Sequence, residues 1–109
     1  MVGGKGKRVV LVTCGSLKEA REIARRVVGE RLAACANIGT AAVESVYWWK
    51  GKVATGQEFF LMMKTTVSRL PALEKEVKRL HSYDLPEFVA LEIAAGSKEY
   101  FRWIEECVR

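Results

Sequence analysis

The chain has 109 residues, half of them hydrophobic, and carries a formal net charge of +5. That size and composition describe one domain able to bury a core, and exclude a disordered chain. No apolar run reaches the roughly 18 residues needed to span a bilayer, so no membrane partner is expected.

Residues 1–7 are Gly- and Lys-rich and read as a flexible basic tail, with a single domain over 8–109. The start lacks the apolar core and cleavage site of a secretory signal, so a cytoplasmic protein is expected. Arg8 to Thr13 forms a short buried strand, because Val9, Val10, Leu11 and Val12 run without a polar break. Ser16 then offers an N-cap, with Glu19 three residues on completing a capping box. Ala20, Ile23, Ala24, Val27 and Val28 recur at helical spacing to about Arg31. A strand follows over Val43 to Trp49. Trp49-Lys50-Gly51-Lys52 is a turn, Gly56 a second break, and Phe59 to Thr66 another strand, so the two make a hairpin. Ser68 caps a second helix with Pro71 in its first turn. Leu70, Leu73, Val77 and Leu80 line one face of it. After a loop around His81, Phe88 to Ile93 is a strand. Gly96 ends it, and Ser97 caps a last helix with Tyr100, Trp103, Ile104 and Cys107 on one face.

The order β-α-β-β-α-β-α predicts an α+β fold: a ferredoxin-like βαββαβ sandwich with an extra C-terminal helix. Two helices cover one face of such a sheet. Yet Phe59, Leu61 and Met63 point one way while Phe60 and Met62 point the other. A second apolar face left open is rare on a monomer, so an oligomer involving the hairpin is expected.

The only histidine, His81, lies in the loop His81-Ser82-Tyr83-Asp84-Leu85-Pro86-Glu87. Imidazole is the commonest metal ligand, although a single loop histidine most often caps or packs. Thiolate and imidazole favour copper or zinc. His81, Cys14, Cys35, Asp84 and Glu87 form the available pool. Cys14, Cys35 and Cys107 are odd in number and contain no Cys-x-x-Cys, which fits free thiols in a reducing compartment. No nucleophile elbow, His-Glu-x-x-His or phosphate-binding glycine pattern occurs, so no enzyme is expected. The glycine-rich anion loop and following Arg of acylphosphatase are also missing. The Phe59-Phe60 aromatics lack the Lys/Arg-Gly context of an RNA-recognition strand, and the body of the chain is nearly charge-balanced, so no nucleic-acid partner is expected. One Asn and one Gln against 12 Glu is a thermophile-like composition.

Several segments together resemble the CutA family of divalent-cation tolerance proteins over about residues 8–108. These are Val10-Leu11-Val12-Thr13, Glu30-Arg31-Leu32-Ala33-Ala34-Cys35-Ala36-Asn37, Tyr47-Trp48-Trp49-Lys50-Gly51-Lys52, Lys64-Thr65, the loop residues His81, Tyr83, Pro86 and Glu87, and Tyr100 with Trp103. The resemblance implies a homotrimer shaped like the PII signalling proteins. It also implies binding of a divalent cation, copper foremost, and a role in metal tolerance. It carries His81 over as a metal ligand, to which the reading of the thiols adds Cys14. It places Cys35, Trp49, Lys64, Thr65 and Tyr83 near a cleft between subunits, with Glu87 shaping the loop beside it. Ser82 stands where many members have Pro, and Leu80 where some bacterial members have a second His. The alternative is a structural or signalling trimer whose cleft binds a small anion or a protein, with Lys64 central and metal incidental.

Overall fold

A computed structural model describes residues 1–109. Its elements are β1 (Val2–Gly3), β2 (Lys7–Cys14), α1 (Leu17–Gly29), β3 (Cys35–Ile38), β4 (Val43–Trp49) and β5 (Lys52–Thr66). A 3-10 turn over Val67–Arg69 leads into α2 (Leu70–Leu80), followed by β6 (Val89–Glu92), β7 (Ala95–Gly96) and α3 (Lys98–Cys107).

The main sheet has the order β3-β5-β2-β6, and every neighbouring pair is antiparallel. This is the ferredoxin-like arrangement expected from the element order. Helices α1 and α2 close one face. The periodic residues Ala20, Ile23, Ala24 and Val27 of α1, and Leu73 and Val77 of α2, pack on Val10, Val12, Leu61 and Met63. The six residues named from α2 and the sheet are fully buried. Each such side chain contributes roughly 1.5–3 kcal/mol by leaving water.

The second strand of the expected hairpin is longer than the sequence suggests, and the first is divided. β5 runs unbroken for 15 residues. Gly56 does not interrupt it, because Ser45 lies opposite and the ladder carries through in register. β4 pairs with the N-terminal half of β5, and β3 with its C-terminal half. The turn between β4 and β5 places Lys50 at φ 51° and Gly51 at φ 77°. Two left-handed central residues match the natural twist of a hairpin, which is why Gly51 suits this turn.

Four further expectations change. Glu19 does not close a capping box: Ser16 Oγ accepts from the Glu19 amide at 3.2 Å, but the Glu19 carboxylate turns to Ser82. Ser68 does not cap α2, since it sits within the 3-10 turn and its hydroxyl pairs with Thr66. On α3 the inward residues are Phe101 and Ile104, while Tyr100 and Trp103 are each 40% exposed. Ala34 and Val108 complete that small core. The tail over 1–7 is paired. Val2 and Gly3 lie opposite Gly96 and Ala95, and Lys7 forms an ion pair with Glu105. Gly4 passes so close to Ile93 that no Cβ fits there.

On the face opposite the helices, Phe60 and Met62 are 45% and 40% exposed, and Val89 and Leu91 are also exposed. The β4–β5 hairpin projects beyond the helix layer, with Trp48 75% exposed near its tip. It draws the molecule out to 43 × 26 × 25 Å.

Candidate metal centre and adjoining cleft

His81 follows α2 directly, and its amide still donates to the Val77 carbonyl at 2.9 Å. The chain then turns, which swings the ring inward beneath the end of β2. The side chain is fully buried. Nε2 lies 2.8 Å from the Thr13 carbonyl, and the Tyr83 amide donates to Nδ1 at 3.1 Å. A carbonyl only accepts and an amide N–H only donates. The ring is therefore fixed with its proton on Nε2. Tyr83 also packs against it, with ring centroids 4.7 Å apart.

Glu19 holds the loop from the other side. Its Oε1 accepts from the Ser82 amide at 2.9 Å and its Oε2 from the Ser82 hydroxyl at 3.2 Å. A proline at 82 would supply neither donor. Glu19 Oε2 also lies 3.7 Å from His81 Nδ1. Cys14, at the end of β2, completes the group: one donor atom each from Cys14, Glu19 and His81 lie within 4.8 Å of one another. Burial, reinforced by Glu19 and Glu58, pushes the Cys14 thiol up to about 12.

The pairing of His81 with Cys14 was expected from the sequence; the contribution of Glu19 was not. Sulfur, imidazole nitrogen and carboxylate oxygen make three of the four ligands of a tetrahedral site. The set suits a soft or borderline divalent ion. Capture through Nδ1 would require two changes: loss of the thiol proton, and release of Nδ1 from the Tyr83 amide.

The residues expected to share a cleft fall into two groups. Trp49, Tyr83 and Glu87 line an open cleft of about 640 Å³ at the base of the hairpin, with Thr13 on its wall. Tyr83 Oη donates to Glu58 Oε2 at 3.1 Å. Burial and that bond raise the phenol to about 12. Burial, then Glu58, also raises the Glu87 carboxyl. Cys35 and Lys64 instead face each other across β3 and β5. Cys35 Sγ is 3.6 Å from Tyr100 Oη, and Lys64 Nζ donates to Asn37 Oδ1 at 2.9 Å. Thr65 is fully buried and donates to the Leu32 carbonyl at 2.7 Å, so it braces the backbone. Lys52, the strand partner of Trp49, precedes Lys64 by roughly 40 Å of strand. Phe60, also on the cleft wall, precedes Lys64 by only four residues, roughly 13 Å of strand, but neither Lys64 nor Cys35 lines the cleft within the protomer.

A family model for the CutA1 divalent ion tolerance protein matches residues 8–107. The divalent-cation tolerance protein CutA of Thermus thermophilus is 48% identical over 100 residues, covering 92% of this chain and 96% of that protein. The solved Cut A1 structure from Thermus thermophilus superposes with a TM-score of 0.92 at 47% identity, covering 94% of this chain and 99% of that one. CutA1 from Oryza sativa superposes at 0.91 and 42% identity, over 97% and 96% of the two chains. The full-length chloroplastic rice protein is longer, and the chain spans 56% of it. A structure described as the periplasmic divalent cation tolerance protein CutA of Archaeoglobus fulgidus gives 0.89 at 38% identity, over 94% and 99%. No helix here is long and apolar enough to cross a membrane. In sequence and in topology, the chain belongs to the CutA1 divalent ion tolerance family.

Proposed function

We propose that the protein is a homotrimer that binds a divalent cation at Cys14, Glu19 and His81, and that this binding underlies a role in metal tolerance. The convergence of thiol, carboxylate and imidazole within 4.8 Å carries the reading. Copper is the ion we favour, because a thiolate and an imidazole together rank it first among common divalent metals. Glu19 positions the loop and supplies oxygen; His81 and Cys14 supply the softer donors. The thiol must lose its proton, so binding releases about one proton per ion and strengthens as pH rises.

We read the protein as a binder and not as an enzyme: both nitrogens of its one imidazole are hydrogen-bonded within the fold, which supports a holding role for that ring. Assembly into a trimer is supported by the half-exposed apolar face carrying Phe60, Met62, Val89 and Leu91. Cytoplasmic placement is supported by the three free thiols. The alternative of a small anion in the cleft is weaker, since no Lys or Arg lines it within the protomer.

The test is titration of reduced, metal-free protein with copper and with cadmium, following thiolate-to-metal charge-transfer absorption. One ion per protomer is expected, with the absorption lost in Cys14→Ser and affinity reduced at least tenfold in Glu19→Gln. Saturable binding left intact in both variants would remove this site from the function.

A further inference from the structure

The proposed metal ligands lie on the helix side of the sheet, away from the face that carries Phe60 and Met62. Cys14 follows Val10 and Val12 at alternate positions of β2, and all three belong to the core beneath α1 and α2. The lone pairs a cation would need there are already taken, and by two neighbouring residues of one loop. The Tyr83 amide donates to His81 Nδ1 at 3.1 Å, while the Ser82 amide and hydroxyl donate to the two oxygens of Glu19. Tyr83 is fastened at two further points. Its ring packs on His81 with centroids 4.7 Å apart, and its phenol donates to Glu58 Oε2 at 3.1 Å. The phenol also passes over Gly15, the residue after Cys14: a methyl group placed on Gly15 would lie 3.1 Å from Tyr83 Oη. One side chain thus spans His81, the backbone beside Cys14, and β5. Gly15, Ser16 and Ser82 are exposed, so the ligand set borders on solvent through these residues and not through the sheet face.

We propose that Ser82 and Tyr83 form a gate over the ligand set, latched by the hydrogen bond from Tyr83 to Glu58. This rests on the reading of Cys14, Glu19 and His81 as a metal site. Nδ1 and the Glu19 carboxylate become available only after the two amides withdraw. Tyr83 is held at its backbone and at its phenol, so amide and ring move together, and the latch must open first. It closes again afterwards, because neither the phenol nor Glu58 is among the ligands. The latch is then a kinetic device: it slows entry and exit by the same factor and leaves affinity unchanged. Tyr83 is a positioning residue here, acting through His81. Assembly does not obstruct this route. The phenol and Glu58 line the cleft on the side of Phe60, so a neighbouring subunit over that cleft shields the latch from water and holds the gate more firmly shut.

The experiment uses the assembled, reduced full chain, with cadmium as the probe. Stopped-flow absorption of the thiolate–cadmium band gives the association rate, and a chelator chase gives the dissociation rate. Tyr83→Phe keeps the ring and removes only the latch. Association and dissociation are each expected to quicken about fivefold, the factor for one hydrogen bond, with Kd unchanged. Gly15→Ala reaches the latch from the other side, since its methyl crowds the phenol; the backbone at Gly15 is not left-handed, so alanine suits the chain. Both rates are expected to rise in this variant too. Amide exchange at Tyr83 should quicken in Tyr83→Phe before any metal is added. Saturable cadmium binding with unchanged rates in both variants would overturn the gate and leave the metal site standing. So would a change in one rate alone, which shifts Kd and marks the bond as a plain stabiliser of one state. Absence of the thiolate band in the wild type would instead overturn the metal reading, and the gate with it.

Discussion

Replacement of His81 by Ala tests whether the ring is first a structural part. The side chain is fully buried and makes two hydrogen bonds, to the Thr13 carbonyl at 2.8 Å and from the Tyr83 amide at 3.1 Å. Thr13 is itself buried, so its carbonyl would lose its side-chain partner in a place water reaches poorly. A buried group left unpaired costs about 1–3 kcal/mol. Tyr83 is partly exposed, so its amide recovers a water partner at small cost. Lost packing around the missing ring adds to this, and the sum is about 2–4 kcal/mol. With a urea dependence of about 1–3 kcal/mol/M, the unfolding midpoint of the metal-free protein should fall by ~1–2 M. The measurement compares wild type and variant at one protomer concentration, because assembly makes stability concentration-dependent. A variant within about 0.5 kcal/mol of wild type would refute the two-bond description, since that is the scatter of ordinary surface changes. Release of Nδ1 is the smaller part of the cost of metal capture, beside loss of the Cys14 proton. An ion taking Nδ1 displaces only the half-exposed Tyr83 amide, at about 1 kcal/mol or roughly fivefold in affinity.

Three other outcomes follow from the geometry. Glu19→Gln keeps an acceptor for Ser82 but removes its charge, and should cost ~1 kcal/mol; amide exchange at Ser82 should quicken, and unchanged exchange would mean that the carboxylate does not hold the loop. Tyr83 and Tyr100 phenols both stand at about 12, raised first by burial and then by Glu58 and Cys35 respectively. A folded-state value above the unfolded value of about 10 stabilises the fold below pH 10 and loses that contribution as pH climbs from 10 towards 12. Ultraviolet titration should show two late phenols in the wild type and one in Tyr83→Phe, while no lagging phenol would contradict the hydrogen bonds to Glu58 and Cys35. Met62→Asp places a charge in the open apolar face and should convert a trimer to a monomer by light scattering; a trimer that persists would locate the interface elsewhere.

The helices were legible because their signals are local. Ala20, Ile23, Ala24 and Val27 mark one stripe, and Pro71 and Ser97 mark two helix starts. β2 was legible as an uninterrupted apolar run. What escaped depends on distant partners. Glu19 matched a capping box three residues from Ser16, and that local pattern concealed a bond to Ser82, 63 positions away. The two-residue strands β1 and β7 are too short to show alternation. Gly56 looked like a break, yet its conformation is decided by the ladder with Ser45. On α3, a Tyr100–Trp103 stripe and a Phe101–Ile104 stripe compete, and only the packing of Ala34 and Val108 selects the second. Cys14 and His81 were nameable as donors, but they lie far apart in the chain, and only the meeting of β2 with the α2 loop brings them together.

The unbroken β5 has a mechanical meaning. Fifteen residues of strand make a beam roughly 50 Å in contour, against a longest molecular extent of 43 Å. Its middle, at Glu58 and Phe60, forms part of the cleft wall, and its C-terminal end carries Lys64 beside Cys35. The beam is held on both edges, by β2 and β3, over Leu61–Lys64, whereas Lys52–Glu58 is paired on one edge only, by β4. The half with one free edge is the part that bends, so amide exchange should be faster over residues 52–58 than over 61–64.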